Sequence, residues 1–192
     1  MFTFQLMKKN KTITVICGRF YGNDQPRYQG IAIKTGSLLA KYGYTVATGG
    51  GSGQMCDVNK AAVEGGAEVT SIQLSVNGEN TCEYFTEKRV FDDISYRQKK
   101  LLDIADGIIM LPGGLGTLYE LVDILERKHF GKFPANAPII LVDKNYYKTI
   151  EEFLRNASEV GFIEHKLEEM CVCVETPEEA IELLNIFFEE QN

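Results

Sequence analysis

Residues 107–120, GIIMLPGGLGTLYE, contain the clearest indication of how this chain folds. The stretch begins with a continuous apolar run, which is typical of a strand that is buried on both faces. Three glycines and a threonine follow, and an amphipathic helical pattern then continues to Gly131. A strand that leads through a glycine-rich loop into a helix is the repeating unit of a parallel α/β sheet.

The same unit recurs on both sides of this stretch. Residues 12–16 (TITVI) and 44–48 (YTVAT) predict strands, each followed by a loop and a helix. The helices predicted from the pattern lie at about 27–42, 54–65, 94–105, 115–131, 147–160 and 177–190, and the further strands at 67–74, 107–112, 137–143 and 170–175. Residues 75–93 lack a clear period and predict a loop with a short strand near 88–91. We therefore predict one domain over residues 1–192, an α/β doubly wound parallel sheet with helices on both faces.

Composition excludes several classes of partner. The 192 residues are 44% hydrophobic, which suffices for a full core, and 20 basic against 27 acidic residues give a net charge of −7. This charge opposes binding to nucleic acid or to anionic lipid. No apolar run reaches the roughly 20 residues of a membrane helix, and the start MFTFQLMKKNKT is too short in its apolar part for a secretory signal. We expect a cytoplasmic protein without nucleic-acid or membrane partners.

Cysteine and histidine usage argues against metal binding. The cysteines are odd in number and lack zinc spacing: Cys17, Cys56, Cys82, Cys171 and Cys173. We therefore expect reduced thiols rather than a disulfide framework or a zinc site. Cys171 and Cys173 alternate along a predicted strand and are expected to be small buried hydrophobes, in preference to a CxC metal site. His129 and His165 belong to no HExxH motif, so no metal is predicted.

Three loops follow predicted strands and carry the candidate chemistry: residues 17–22 (CGRFYG), 48–55 (TGGGSGQM) and 112–117 (PGGLGT). Glycine lets a ligand approach the backbone amides closely, and the helix that follows favours an anion such as phosphate. The alternative for any single loop is a tight strand-to-helix turn. Because the chain lacks GxxxxGK[ST] and the third glycine of GxGxxG, kinase and ATPase functions are disfavoured.

Glu120 and Arg97 each have two interpretations. Glu120 follows Thr117 by three residues, so it is either a helix-capping carboxylate or a group that faces a sugar in the anion pocket. Thr117 either caps the helix or donates to the anion. Arg97 either supplies a fixed cation or belongs to a solvated helix face, SYRQKK. Four other side chains are likewise surface or pocket residues: Arg19, Tyr28, Asp57 and Asn59.

Taken together, these motifs resemble a known family. PGGLGTLYE looks like the PGGxGTxxE signature of the LOG ("lonely guy") family of cytokinin-activating nucleoside 5′-monophosphate phosphoribohydrolases, often labelled possible lysine decarboxylases. The resemblance runs from about Thr12 to Asp143 and includes CG in the first loop, TGGGSGQM with Asn59, and the arginine-bearing RQKKLLDIAD. Decarboxylation is disfavoured, because neither glycine loop carries a lysine that could form a Schiff base.

The resemblance implies a function and a site. It implies a Rossmann-like nucleotide-binding domain, at least a homodimer, without metal or cofactor, that cleaves the N-glycosidic bond of AMP or N6-modified AMP. It implies that Arg97 and Glu120 are the catalytic pair. The residues expected to bind the substrate are Gly18, Gly50, Gly51, Ser52, Gly53, Asn59, Pro112, Gly113, Gly114, Gly116 and Thr117.

Departures from the family pattern leave alternatives open. Arg19 and Phe20 stand where the family has small residues, Gln98 follows the arginine where lysine is usual, and Cys56 follows GGGSGQM. Substrate preference and turnover therefore stay open. The alternative is a non-catalytic carrier or binding protein for a phosphorylated ligand such as molybdenum cofactor or a nucleotide, since molybdenum-cofactor carriers resemble the family in fold and glycine loops. A carrier has no need of Arg97 and Glu120 in one pocket. A dinucleotide-dependent oxidoreductase lacks its fingerprint.

Overall fold

The computed structural model describes residues 11–75, 81–133 and 137–190, and these form a seven-stranded sheet with helices on both faces. The strands are β1 (Thr12–Ile16), β2 (Thr45–Thr48), β3 (Val69–Leu74), β4 (Glu87–Phe91), β5 (Gly107–Met110), β6 (Ile139–Val142) and β7 (Val172–Val174). The helices are α1 (Gln25–Lys41), α2 (Gln54–Glu64), α3 (Ile94–Asp103), α4 (Leu115–His129), α5 (Lys144–Glu159), α6 (Leu167–Met170) and α7 (Pro177–Glu189).

All neighbouring strands run parallel, in the order β4-β3-β2-β1-β5-β6-β7. The chain winds outward from β1 to β4, crosses back to place β5 beside β1, and then winds outward to β7. The register of the central pair sets Ile13 opposite Gly107 and Ile16 opposite Met110. This confirms the predicted doubly wound α/β fold. The order reverses between β1 and β5, which is where such sheets bind ligands.

Two hydrophobic cores cover the two faces of the sheet. Because strand side chains alternate, Ile13 and Val15 of β1 enter one core, and Ile16 enters the other. Helices α1, α2 and α7 close the first core, through residues such as Leu39, Val58 and Leu184. Helices α3, α4, α5 and α6 close the second core. Strands β5 and β6 place apolar side chains in both cores, as expected for strands that are covered on both faces.

The helices differ in how they begin. A side chain caps the first turn of α1, α3, α5 and α7, where the caps are Asp24, Asp93, Asp143 and Thr176. Helices α2 and α4 begin instead after glycines, Gly53 and Gly114, and no side chain among the described residues caps either one. Their first amides are therefore left for another acceptor. Both are the helices that follow the glycine-rich loops.

The structure departs from the sequence-based expectations in three places. The predicted strand 170–175 is the short helix α6 followed by β7, and α5 begins at Lys144 rather than near 147. The short strand predicted near 88–91 is confirmed as the edge strand β4, and residues 76–80 of the predicted loop lie outside the described residues. None of the helices in the described ranges is long and apolar enough to cross a membrane.

The third departure concerns the cysteines. Cys56 and Cys82 form a disulfide with Cα atoms 5.1 Å apart, so the expectation of reduced thiols is wrong for this pair. The chain before β4 folds back over the second glycine loop, where Thr81 forms a bridge with Gly51 and the Cys82 amide donates to the Gly50 carbonyl. Disulfides persist mainly in oxidising compartments, so this pair does not support the expected cytoplasmic location, which stays a prediction. Cys17, Cys171 and Cys173 are free.

Candidate active site

A cavity of about 600 Å³ opens at the carboxyl ends of the central strands. All three predicted loops contribute to its wall, together with residues at the end of β3 and at the start of α3 and α5. Eight of the residues expected to bind substrate line it: Gly18, Gly50, Gly51, Pro112, Gly113, Gly114, Gly116 and Thr117. Arg97 and Glu120 line the same cavity. A volume of this size is in the range of small-molecule sites.

The start of α4 forms one end of the cavity. Its first amides, after Gly114, have no partner within the helix and carry the positive end of the helix dipole. Leu115 and Gly116 are exposed, and Thr117 is buried beneath them. A methyl group added to Gly113 would lie 2.1 Å from the Thr117 hydroxyl, so only glycine fits there. This arrangement favours an anionic group of a ligand, such as a phosphate.

The first and third loops are held against each other by backbone contacts. The Gly18 amide donates to the Pro112 carbonyl at 3.3 Å, and a methyl on Gly18 would lie 3.1 Å from the Gly113 Cα. The Gln54 side chain fastens both loops: its amide nitrogen donates to the Pro112 carbonyl at 2.9 Å and to the Phe20 carbonyl at 3.0 Å. Two carbonyl acceptors fix which end of the amide is nitrogen. The anion end of the cavity is therefore preformed.

The second loop depends on a buried polar contact beneath it. Asn59 is fully buried and accepts from the Thr48 hydroxyl at 2.8 Å, and Thr48 in turn accepts from the Gly50 amide at 3.1 Å. Asn59 therefore supports the loop from below and is not among the residues that line the cavity. Ser52 and Gly53 are likewise absent from the described cavity wall. Gly53 has φ 68 and packs against the Arg19 carbonyl.

Arg97 and Glu120 contact each other in the cavity wall. The guanidinium Nη1 lies 3.1 Å from the Glu120 Oε1, and the two side chains are only 13% and 15% exposed. Arg97 Nε also donates to the Ile72 carbonyl at 2.9 Å, so the guanidinium is fixed on two sides. A methyl on Gly49 would lie 1.9 Å from Arg97 Nη2, which shows that this glycine makes room for the guanidinium. Arg97 is therefore not part of a solvated helix face.

The electrostatics of Glu120 suit a reacting group better than a cap. Helix α4 begins at Leu115, so Glu120 lies in its second turn and the capping interpretation is wrong. Burial raises the pKa of its carboxyl above the ordinary value, and the Arg97 charge offsets part of that rise. A buried carboxylate held by one cation, in a cavity wall, is a common arrangement at catalytic sites.

The side chains left open by the sequence divide between surface and pocket. Arg19 and Tyr28 line the cavity, as does Tyr21. Asp57 lies beside the cavity and accepts from the hydroxyl of Tyr21 and from Gln29 at 3.4 Å. It therefore anchors the first loop to α2. Three site residues were not predicted from the sequence, because their roles depend on contacts between distant loops: Gly49, Gln54 and Tyr146.

Comparison with protein families and known relatives supports the resemblance. A family model described as "Possible lysine decarboxylase" matches residues 55–184. The cytokinin riboside 5′-monophosphate phosphoribohydrolase LOG3 of Arabidopsis thaliana is 32% identical, over 93% of this chain and 84% of the relative. The phosphoribohydrolase LOG4 of the same plant is 30% identical, over 94% of this chain and 85% of the relative.

Solved structures share the fold at lower identity. The molybdenum cofactor binding protein of Rippkaea orientalis has a TM-score of 0.72 and 21% identity, covering 95% of this chain and 99% of that one. The molybdenum cofactor carrier protein of Chlamydomonas reinhardtii has a TM-score of 0.72 and 17% identity, covering 94% and 99%. At these identities the likeness shows the fold alone.

Proposed function

The chain belongs to the LOG, or possible lysine decarboxylase, family, and from that premise we propose that it is a nucleoside 5′-monophosphate phosphoribohydrolase. The substrate class is AMP or an N6-modified AMP, and the products are the free base and ribose 5-phosphate. The observation that carries the proposal is the Arg97–Glu120 pair, which lies on the wall of a cavity whose end is an uncapped helix N-terminus.

The anion end of the cavity supports a phosphate subsite. The free amides of the first turn of α4 bind the 5′-phosphate, and Gly113, Gly114 and Gly116 let it approach the backbone. The fixed phosphate then places the ribose over Glu120, since that residue lies one turn further along the same helix. Binding energy from the phosphate is thereby used at the reacting centre.

The reaction breaks the bond between C1′ of ribose and the base nitrogen. The electron pair of that bond leaves with the base, and positive charge develops on C1′ and the ring oxygen. The Glu120 carboxylate stabilises this charge through the ribose hydroxyls and accepts a proton from the water that attacks C1′. The departing base takes up one proton from solvent and Glu120 later returns its proton to solvent, so the reaction consumes one water overall. Arg97 keeps Glu120 ionised and positioned.

Turnover of defined nucleotides tests the proposal. Purified protein is incubated with AMP, other nucleoside monophosphates and N6-isopentenyl-AMP, and the release of base and ribose 5-phosphate is measured. We expect Glu120→Gln to lower kcat by at least about 100-fold in a protein that stays folded, as circular dichroism measures. Glu126→Gln, at an exposed position on the same helix, is the matched control and should keep full activity. Nucleotide binding without any product would support the carrier alternative instead.

We also propose that the protein is a homodimer or a larger homo-oligomer. Helix α4 leaves four apolar side chains exposed beside the cavity: Leu115, Leu118, Tyr119 and Val122. A contiguous apolar strip of this kind is typical of a protein interface, and its place on the helix of the signature motif makes a second copy its proposed partner. Light scattering of the wild type and of Val122→Lys tests this; a monomeric wild type would contradict it.

A further inference from the structure

Two adjacent tyrosines at the start of α5 donate hydrogen bonds to the chain that enters the third loop. The hydroxyl of Tyr146 donates to the Gly113 carbonyl, and the hydroxyl of Tyr147 donates to the Leu111 carbonyl at 2.7 Å. Their surroundings differ. Tyr147 is 3% exposed and belongs to a hydrophobic core, whereas Tyr146 is 41% exposed and lines the cavity. The proposed chemistry uses neither residue.

The contact to Gly113 bears on how the loop binds an anion. In a trans peptide the carbonyl of one residue and the amide of the next point in opposite directions. The Gly113–Gly114 peptide has no side chain on either side to limit its rotation, and a methyl on Gly114 would meet no described atom within 4 Å. If this peptide rotated, a carbonyl would take the place of the Gly114 amide and would repel a phosphate. A donor to the Gly113 carbonyl selects one orientation.

Tyr146 is itself held in place from two sides. Asp143 accepts from the Tyr146 amide at 3.1 Å and from Arg27 Nη2 at 2.7 Å. Asp143 is buried and has φ 82, a left-handed conformation that is unfavourable for a residue with a side chain. The Tyr28 ring packs edge-on against the Tyr146 ring, with centroids 6.3 Å apart. These contacts fix the phenol over the loop.

We propose that Tyr146 is a positioning residue, which holds the Gly113–Gly114 peptide in the orientation that binds the phosphate of the substrate. The proposal rests on the proposed function only in naming that phosphate as the ligand. Asp143 and Arg27 support Tyr146 and do not touch the ligand. In this proposal Tyr146 serves phosphate binding, and Tyr147 serves the stability of the core.

Phenylalanine at each position provides a matched pair of variants, since each substitution removes one hydroxyl. We expect Tyr146→Phe to raise the KM for AMP about 10-fold while kcat changes less than about 3-fold, because a neutral hydrogen bond of this kind contributes roughly 1.4 kcal/mol. Competitive inhibition by inorganic phosphate should weaken by a similar factor, and inhibition by adenosine, which lacks phosphate, should not change. Tyr147→Phe should lower the melting temperature and leave the KM for AMP within 2-fold.

Binding measurements separate this proposal from the proposed function. Calorimetry measures the affinity for inorganic phosphate and AMP whether or not the protein turns over. A wild type that binds phosphate but releases no base would contradict the proposed enzyme function. The role of Tyr146 in phosphate binding could still be tested in that protein. Equal phosphate affinity in wild type and Tyr146→Phe overturns the positioning role. A wild type that binds no phosphate overturns it as well. The positioning role is also overturned if Tyr146→Phe weakens adenosine binding as much as AMP binding, because such a loss is not specific to the anion end of the cavity.

Discussion

Removal of the Arg97 charge should change the pH dependence of catalysis in a defined direction. Burial raises the pKa of the Glu120 carboxyl, and Arg97 opposes that rise at an N–O distance of 3.1 Å. In Arg97→Gln, burial and the nearby Asp123 charge still raise this pKa and the Arg97 cation no longer opposes them, so the pKa of Glu120 rises further. At any pH near this pKa, fewer molecules then carry the ionised carboxylate on which the reaction depends. The acidic limb of kcat/KM should therefore move to higher pH.

The magnitude follows from the geometry. Two unit charges about 4 Å apart interact by roughly 4 kcal/mol at an effective dielectric constant of about 20. Both side chains retain some exposure, 13% and 15%, so we take about half of this value as the loss. A loss of about 2 kcal/mol in the stabilisation of the ionised carboxylate should lower kcat/KM on the acidic limb by about 30-fold. Loss of the guanidinium from the site lowers the plateau rate in addition.

The assay is the pH profile of kcat/KM for AMP in the wild type, Arg97→Gln and Arg97→Lys. Lysine loses the planar fork that also reaches the Ile72 carbonyl but keeps a cation beside Glu120. The acidic limb of Arg97→Lys should therefore stay near that of the wild type. A profile of Arg97→Gln that falls in height but keeps the wild-type acidic limb would contradict a role of Arg97 in the ionisation of Glu120. Arg97 would then act on the substrate rather than on the ionisation of Glu120.

Three further predictions concern the loops and the disulfide. Gly53→Ala should lose at least about 2 kcal/mol of unfolding free energy, since φ is 68 and the methyl would lie 2.0 Å from a backbone oxygen. A methyl on Gly116 would meet no described atom within 4 Å, so Gly116→Ala should keep its stability. This second variant should bind AMP at least about 10-fold more weakly. Gln54→Leu should lose about 1–3 kcal/mol in urea unfolding, because the Phe20 carbonyl loses its side-chain donor and the Pro112 carbonyl keeps only the Gly18 amide. Dithiothreitol should lower the stability of the wild type by about 3 kcal/mol and leave a variant with serine at Cys56 and Cys82 unchanged, since the disulfide closes a loop with a sequence separation of 26.

The sheet could be predicted because strands and helices differ in the spacing of their apolar residues. The run 107–112 is apolar on both faces, and the helix after it repeats its apolar residues at helical spacing. Once the strands are parallel, their carboxyl ends meet at one edge of the sheet, so the convergence of the three loops followed from the fold. The short helix α6 carries too few residues for a period, and the sequence there predicted only the strand.

The details of the site depend on distances between loops, which local patterns do not contain. Gln54 is isolated in the sequence from the two carbonyls that it binds, which belong to Phe20 and Pro112. Glu120 was ambiguous because the position of a helix start is uncertain by a few residues; a start at Leu115 moves it from the first turn to the second. The disulfide followed from no spacing rule, because it depends on how the chain near Thr81 folds back over Gly51.

The position of β1 in the sheet has a consequence for synthesis on the ribosome. Strands β1 to β4 pair with one another in chain order. The edge of β1 that does not face β2 pairs only with β5, which starts at Gly107. At roughly 5–20 residues per second, that edge stays unpaired for about 5–20 seconds. An open apolar strand edge is a template for pairing with other chains. Nascent chains that end before Gly107 should therefore bind chaperones or aggregate, and release of the completed β5 should end that risk.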